Sequence, residues 1–241
     1  ARSKPAMGEL VLKVDKIRKQ FGGLTAVNDI SFDMHAGQIV GLIGPNGAGK
    51  STTFNLITGV LSKTSGNVTY RGHDISALPS REISRQGMAR TFQHVKMIPD
   101  MTVLENVALG AYARGESGVL SSMLGTNKSE EQRFMKEAQH QLERIGMGNY
   151  LHEQAGNLAM GPQRLMEIAR ALCCDPALLL LDEPAAGLRH KEKQDLIKVL
   201  RQLQSEGMSI LLVEHDMDLV MDVCDHLVVM EFGTLLTQGT P

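Results

Sequence analysis

The chain has 241 residues, 42% hydrophobic and 22% charged, with a formal net charge of −2 at pH 7 when histidine is neutral. That length suits one large domain, or a core with a smaller subdomain, and the balance is that of a globular protein with ample core. The near-neutral charge excludes a global basic field for nucleic acid. The three cysteines, Cys173, Cys174 and Cys224, lack C-x-x-C spacing and exclude a disulfide framework or zinc site, and no apolar run reaches bilayer length.

Residues 1–9 read as a disordered tail. Leu10 to Val14 alternates apolar and polar and predicts a strand, and Ile30 to Met34 predicts another that ends at the turn His35-Ala36-Gly37. Gln38 to Ile43 is a short buried strand. It runs into Gly44-Pro45-Asn46-Gly47-Ala48-Gly49-Lys50-Ser51, which fits G-x-x-x-x-G-K-[ST] at every fixed position, and Ser51 to Gly59 reads as a helix. Glycines at that spacing let the backbone curl so that successive N–H groups point at phosphates. Lys50 adds a charge for the β- and γ-phosphates, the Ser51 hydroxyl can ligate Mg²⁺, and Thr52 follows at the anion-favouring helix start.

Val68 to Tyr70, followed by Arg71-Gly72, suggests a hairpin edge. Ser80 to Gln86, Val103 to Ala113 and Ser129 to Ile145 have helical periodicity, and the Gly- and Ser-rich stretch 115–128 reads as a surface loop. Gln163 to Leu172 is a helix, Ala177 to Leu181 a buried strand, Lys191 to Glu206 a helix, Ser209 to Val213 a strand and Met217 to Val223 a helix. Leu227 to Glu231 and Thr234 to Thr237 close the chain as strands around Phe232-Gly233. Strands alternating with helices predict an α/β fold with a mostly parallel sheet, an antiparallel β layer at the start and a helical insert.

Leu178-Leu179-Leu180-Leu181-Asp182-Glu183 places two carboxylates at the end of a buried strand. In a parallel sheet that end is the ligand edge. Asp182 there can hold Mg²⁺ through water beside Ser51, and Glu183 is placed to activate a water for attack on a γ-phosphate.

These residues together resemble the ATP-binding cassette ATPases, from about Leu10 to Thr240. The resemblance implies a P-loop NTPase fold of ABC type. Its core and β layer would lie at 10–92 and 157–241, and its helical subdomain at about 93–156, extending into the signature helix. It implies that Phe21 stacks on adenine, that Gln93 senses Mg²⁺ and the γ-phosphate, that Asp182 and Glu183 are the metal-binding and catalytic acids, and that His215 is the switch histidine. ATP and Mg²⁺ are the implied cofactors. The implied partners are a second cassette, identical or homologous, and transmembrane permease subunits, at the cytoplasmic face of the inner membrane.

Phe21-Gly22-Gly23-Leu24-Thr25-Ala26-Val27, Arg90-Thr91-Phe92-Gln93, Met101 to Val107, Glu183 to Leu188 and Glu214-His215-Asp216-Met217 look like the ATPase subunits of branched-chain amino acid importers. Subunits for urea or amide import and for lipopolysaccharide export share much of this pattern. A low-turnover nucleotide-binding subunit is the second reading, because Leu158-Ala159-Met160-Gly161-Pro162 departs from the family's signature. Ala159 replaces a serine, Met160 fills a position of variable size, Pro162 replaces a glutamine, and Gly161 is kept. Arg189 stands where the family has Asn or Asp. A lost hydroxyl at Ala159 removes a bond to a charged group worth about 1.5–3 kcal/mol, so weakened dimer closure is expected.

Overall fold

The computed structural model describes residues 4–92, 94–114 and 128–241. Gln93 and residues 115–127 of the expected surface loop lie outside the described residues. Residues 6–9, expected in a tail, form a turn whose Gly8 N–H donates to Ala36 O, while Ala36 N–H donates to Glu9 O.

Ten strands form two sheets among the described residues. The first is antiparallel, in the order β2-β1-β4-β5, from β1 (Leu10–Phe21), β2 (Leu24–His35), β4 (Ser65–Tyr70) and β5 (His73–Asp74). The alternation in β1 stops at Val14 in the sequence, yet the strand continues to Phe21. Lys16 and, across the ladder, Asp29 have positive φ, and the register slips between Val14 and Ile17. This bulge inserts one residue, so the next buried position after Val14 is Ile17 instead of Lys16.

The second sheet has the order β10-β9-β3-β8-β7-β6: β3 (Ile39–Ile43), β6 (Met88–Arg90), β7 (Leu178–Asp182), β8 (Ser209–Glu214), β9 (His226–Glu231) and β10 (Thr234–Gly239). All its pairings are parallel except β9 with β10. β6 has three residues and no periodicity to read. It is fixed by pairing Met88 to Leu178 and Arg90 to Leu180.

β3, β7 and β8 are buried along their whole length because both faces are covered. Ile39, Leu179, Leu181, Ile210 and Leu212 face a helical core, whereas Val40, Leu42, Leu178, Leu180, Leu211 and Val213 face the core under the antiparallel sheet. That period of two is the pleat itself. The helical core is built with α3 (Val103–Arg114), α4 (Lys128–Arg144), α5 (Met160–Leu172) and α6 (His190–Ser205). The other face receives α1 (Lys50–Ile57) and Ile83 of α2 (Ser80–Arg85), and α7 (Met217–Val223) follows β8. α5 begins three residues before the Gln163 start read from the sequence. Pro162 therefore sits in its first turn, where a missing N–H breaks no helical bond.

Candidate functional site

Parallel pairing assembles the site. Ile43 pairs with Glu214 and Asp182 with Val213, so the carboxyl ends of β3, β7 and β8 share one edge. The Gly44 loop, Asp182-Glu183 and His215 all leave from there.

The loop 44–49 is held open by its glycines. Gly44 has φ 153°, and a Cβ there would lie 2.2 Å from Met230 O. Gly49, at φ 94° and cap of α1, would meet Ala26 O at 2.8 Å. The β9–β10 turn and β2 pin the loop from outside: Gly233 N–H donates to Ala48 O at 2.9 Å and Asn28 N–H to Gly233 O at 2.7 Å. Pro45, Asn46 and Gly47 are exposed, Ala48 is buried, Ser51 is exposed and Thr52 half-buried. Lys50 is buried, and its Nζ donates to the Gly44 carbonyl. Burial pulls its pKa below the usual lysine value, while Glu183, Glu214 and Asp182 counter this. The three carboxylates thus favour the ammonium form against the cost of its burial.

Phe21 ends β1, about half exposed, opposite Leu24, and Lys19 lies over its ring at 5.1 Å. Ala26 of β2 lies close to Gly49, its O being 2.8 Å from where a Cβ there would sit, so the strands joined by the β1–β2 turn border the phosphate loop.

Asp182 is buried and pairs with Arg90, Nη2 to Oδ2 at 3.2 Å. Arg90 is fixed by Asn55 Oδ1 at 2.7 Å and Thr58 Oγ1 at 2.9 Å, both from the α1 segment. Burial raises the Asp182 pKa, and Arg90 opposes the rise. Its second oxygen, Oδ1, is buried with no hydrogen-bond partner among the described residues. An unpaired anionic oxygen in such a place fits a metal-bound water.

Glu183 is buried at φ 45°, a strained conformation for a residue with a Cβ. Its N–H donates to Val213 O at 2.9 Å, and its Oε1 lies 3.5 Å from His215 Nδ1. His215 is half-exposed beside it. Gln93 falls outside the described residues, so the structure assembles the expected acids, switch histidine and lysine without it.

Glu214 was missed by the sequence reading. It is fully buried, and its carboxylate accepts from Ala185 N–H at 2.8 Å, His215 N–H at 3.1 Å and Asp216 N–H at 3.2 Å. Burial raises its pKa and the three N–H groups counter it. One side chain thereby ties the loop after Glu183 to the loop bearing His215. The available signal was a second buried strand ending in a carboxylate, as β7 does.

The signature residues gather elsewhere. Leu158 is buried and accepts from Gln163 Nε2 at 3.0 Å. Ala159 caps α5 without a side-chain bond, Met160 is exposed, and Gly161 is buried against α6, its N–H donating to Glu192 Oε2 at 2.6 Å. One turn on, Arg164 Nη2 donates to Ala186 O at 3.2 Å, which joins α5 to the loop after Glu183. No helix among the described residues is long and apolar enough to cross a membrane.

Comparison with known proteins agrees with this geometry. Residues 27–186 match the family described as ABC transporter. The chain is 42% identical over 238 residues to the high-affinity branched-chain amino acid transport ATP-binding protein LivG of Salmonella typhimurium, covering 98% of this chain and 93% of that one. It is 41% identical to BraF of Pseudomonas aeruginosa, which carries the same description, with the same coverage. Among solved structures, a nucleotide-free ATP-binding cassette from an ABC transporter superposes with a TM-score of 0.86 at 33% identity, covering 96% of this chain and 91% of that one. The ADP conformation of an ATP-binding cassette gives the same TM-score and coverage at 34% identity.

Proposed function

The chain belongs to the ABC transporter family, and from that premise we propose that it is the ATP-hydrolysing subunit driving import of branched-chain amino acids. The observation that carries the hydrolytic reading is the shared strand edge, where Lys50, Asp182 and Glu183 converge and Glu183 Oε1 lies 3.5 Å from His215 Nδ1. The solute follows from what the similar proteins are described as carrying.

In this reading the loop 44–49 and the start of α1 present N–H groups to the phosphates, and Lys50 exchanges its bond to Gly44 O for a phosphate oxygen. Phe21 offers its exposed ring to the adenine. Mg²⁺, when bound, neutralises phosphate charge, and Ser51 Oγ and Asp182 Oδ1 would hold it, the latter through water. Gln93 keeps its assignment as Mg²⁺ and γ-phosphate sensor from the resemblance alone. Glu183 orients and deprotonates the attacking water, and His215 senses the γ-phosphate from the loop that Glu214 anchors. A second cassette supplies its signature to complete each site, and permease subunits receive the motion.

The test is uptake of leucine, isoleucine and valine by vesicles carrying this chain with its permease, together with ATP turnover. Glu183→Gln is expected to lower turnover by about 10²- to 10⁴-fold with nucleotide binding retained. Unchanged turnover would remove Glu183 from its role, and uptake of none of the three would remove the solute assignment.

A further inference from the structure

In the paired arrangement proposed above, the start of α5 serves the partner's nucleotide, and what it has to offer is the N–H groups of its first turn. This chain has reduced that set. Pro162 carries no N–H and Ala159 has no hydroxyl, while Gln163 N–H makes the first ordinary helical bond, to Ala159 O at 3.1 Å. The Gly161 N–H donates at 2.6 Å to Glu192 Oε2, a charge-assisted length.

Glu192 is fixed at its other oxygen too. Oε1 accepts the Arg189 backbone N–H at 3.1 Å and Arg189 Nε at 3.1 Å. Its stem lies flat on the glycine: a Cβ at Gly161 would be 2.5 Å from Oε2, 2.9 Å from Cγ and 3.0 Å from Cβ of Glu192. The glycine kept in this otherwise altered signature is therefore the residue that admits Glu192. A carboxylate and a phosphate oxygen are both anions and cannot share one N–H donor.

We propose that Glu192 is a positioning residue that withholds the signature end: its carboxylate occupies, as an internal anion, the Gly161 N–H that a partner's nucleotide requires, and Arg189 holds it there. The inference rests on the paired-site reading. It makes the two sequence departures, at 159–162 and at Arg189, two ends of one contact. Pairing then requires Glu192 to turn away from both Gly161 and Arg189, which raises the ATP concentration that pairing demands.

The test uses the full chain carrying Glu183→Gln, so that bound ATP is retained. It measures the ATP concentration for half-maximal dimer formation by light scattering, and in parallel the affinity of the unpaired chain for a fluorescent ADP. Glu192→Ala is expected to lower the ATP requirement roughly ten- to hundredfold, the factor for a hydrogen bond to a charged group. Arg189→Asn should lower it by less, in the same direction, with ADP affinity unchanged. Glu192→Gln keeps an acceptor for the Arg189 N–H without the charge and should fall between them. The Gly161 amide proton resonance should shift on Glu192→Ala and, in the parent, on ATP-driven pairing. Variants that pair at the parent's ATP concentration or above, with ADP binding intact, overturn the inference and leave the function standing. Failure of parent and variants alike to pair while ADP binds overturns the paired-site reading and the inference with it.

Discussion

Two helices of this chain begin beside a glycine in segments to which we assign phosphate binding, and they treat the same physics in opposite ways. α1 starts after Gly49, a left-handed cap, with no side-chain cap among the described residues and no acid in its first turn. Its loop is pinned from outside by Gly233 and Asn28, which leaves its inner face open. α5 starts at Met160 with Pro162 in its first turn and a carboxylate from another helix on Gly161. A helix N-terminus attracts an anion in either case. What differs is whether the protein supplies that anion itself. At α1 the glycines are fenced by backbone, and at α5 the glycine is fenced by a side chain that can turn away.

The sharpest way to break this comparison is one methyl group at each glycine. In Gly44→Ala the new Cβ is set against Met230 O at a φ of 153°, and nothing short of moving backbone relieves it. The expected loss is about 4 kcal/mol of stability, read from the denaturant midpoint, with loss of ADP binding. Gly161→Ala meets the Glu192 side chain from Oε2 down to Cβ, with no backbone in the way and no positive φ, so a smaller loss of about 1–2 kcal/mol is expected. Equal damage at both positions would mean the signature end is as rigid as the loop.

A smaller effect should come from Glu214→Ala, on the phosphate-loop side. It leaves the N–H groups of Ala185, His215 and Asp216 without their shared acceptor. About 2–3 kcal/mol of stability should go, because water can reach only part of a fully buried site. The discriminating readout is kinetic: kcat should fall about tenfold through displaced Glu183 and His215, with KM for ATP little changed. A rise in KM with kcat intact would show that Glu214 supports binding and leaves the water-activating pair untouched.

The two ends also differ in how far the sequence disclosed them. The phosphate loop was legible because its chemistry is local: eight consecutive residues between a buried strand and a helix. β7 and β8 were legible as apolar runs, and Asp182 and Glu183 came with them. β6 was not, since three residues carry no period and its place comes from pairing with β7. The second half of β1 was not, because positive φ at Lys16 turns the alternation out of phase. At the signature the lost hydroxyl and the proline could be read directly. The carboxylate could not, since Glu192 lies 31 residues from Gly161 and meets it only through the packing of α6 on α5. The substitution at Arg189 is readable as a departure, but its link to the signature is not, since it runs through Nε on the same carboxylate.

The smallest expected effect, and the one that isolates charge from packing, is the pH dependence of the Glu192 contact. The Arg189 backbone N–H is the main cause holding its pKa below the usual 4.5, with the Gly161 N–H adding to it. A folded-state pKa below the unfolded value stabilises the fold above the unfolded value, and that stability is lost as pH falls through the folded one. Glu192→Ala should therefore cost about 1 kcal/mol near neutrality, the worth of a helix-cap contact, and progressively less below pH 4.5. Glu214 runs the other way, since burial raises its pKa. Its ionised form is disfavoured by folding, so that part of its contribution is fullest at low pH and declines as pH rises through the raised value. Denaturant midpoints of the two variants against the parent, followed from neutrality to below pH 4.5, should thus converge for Glu192 and separate for Glu214. Parallel curves would mean that both carboxylates act through packing alone, and that the closed end of α5 owes nothing to the charge that closes it.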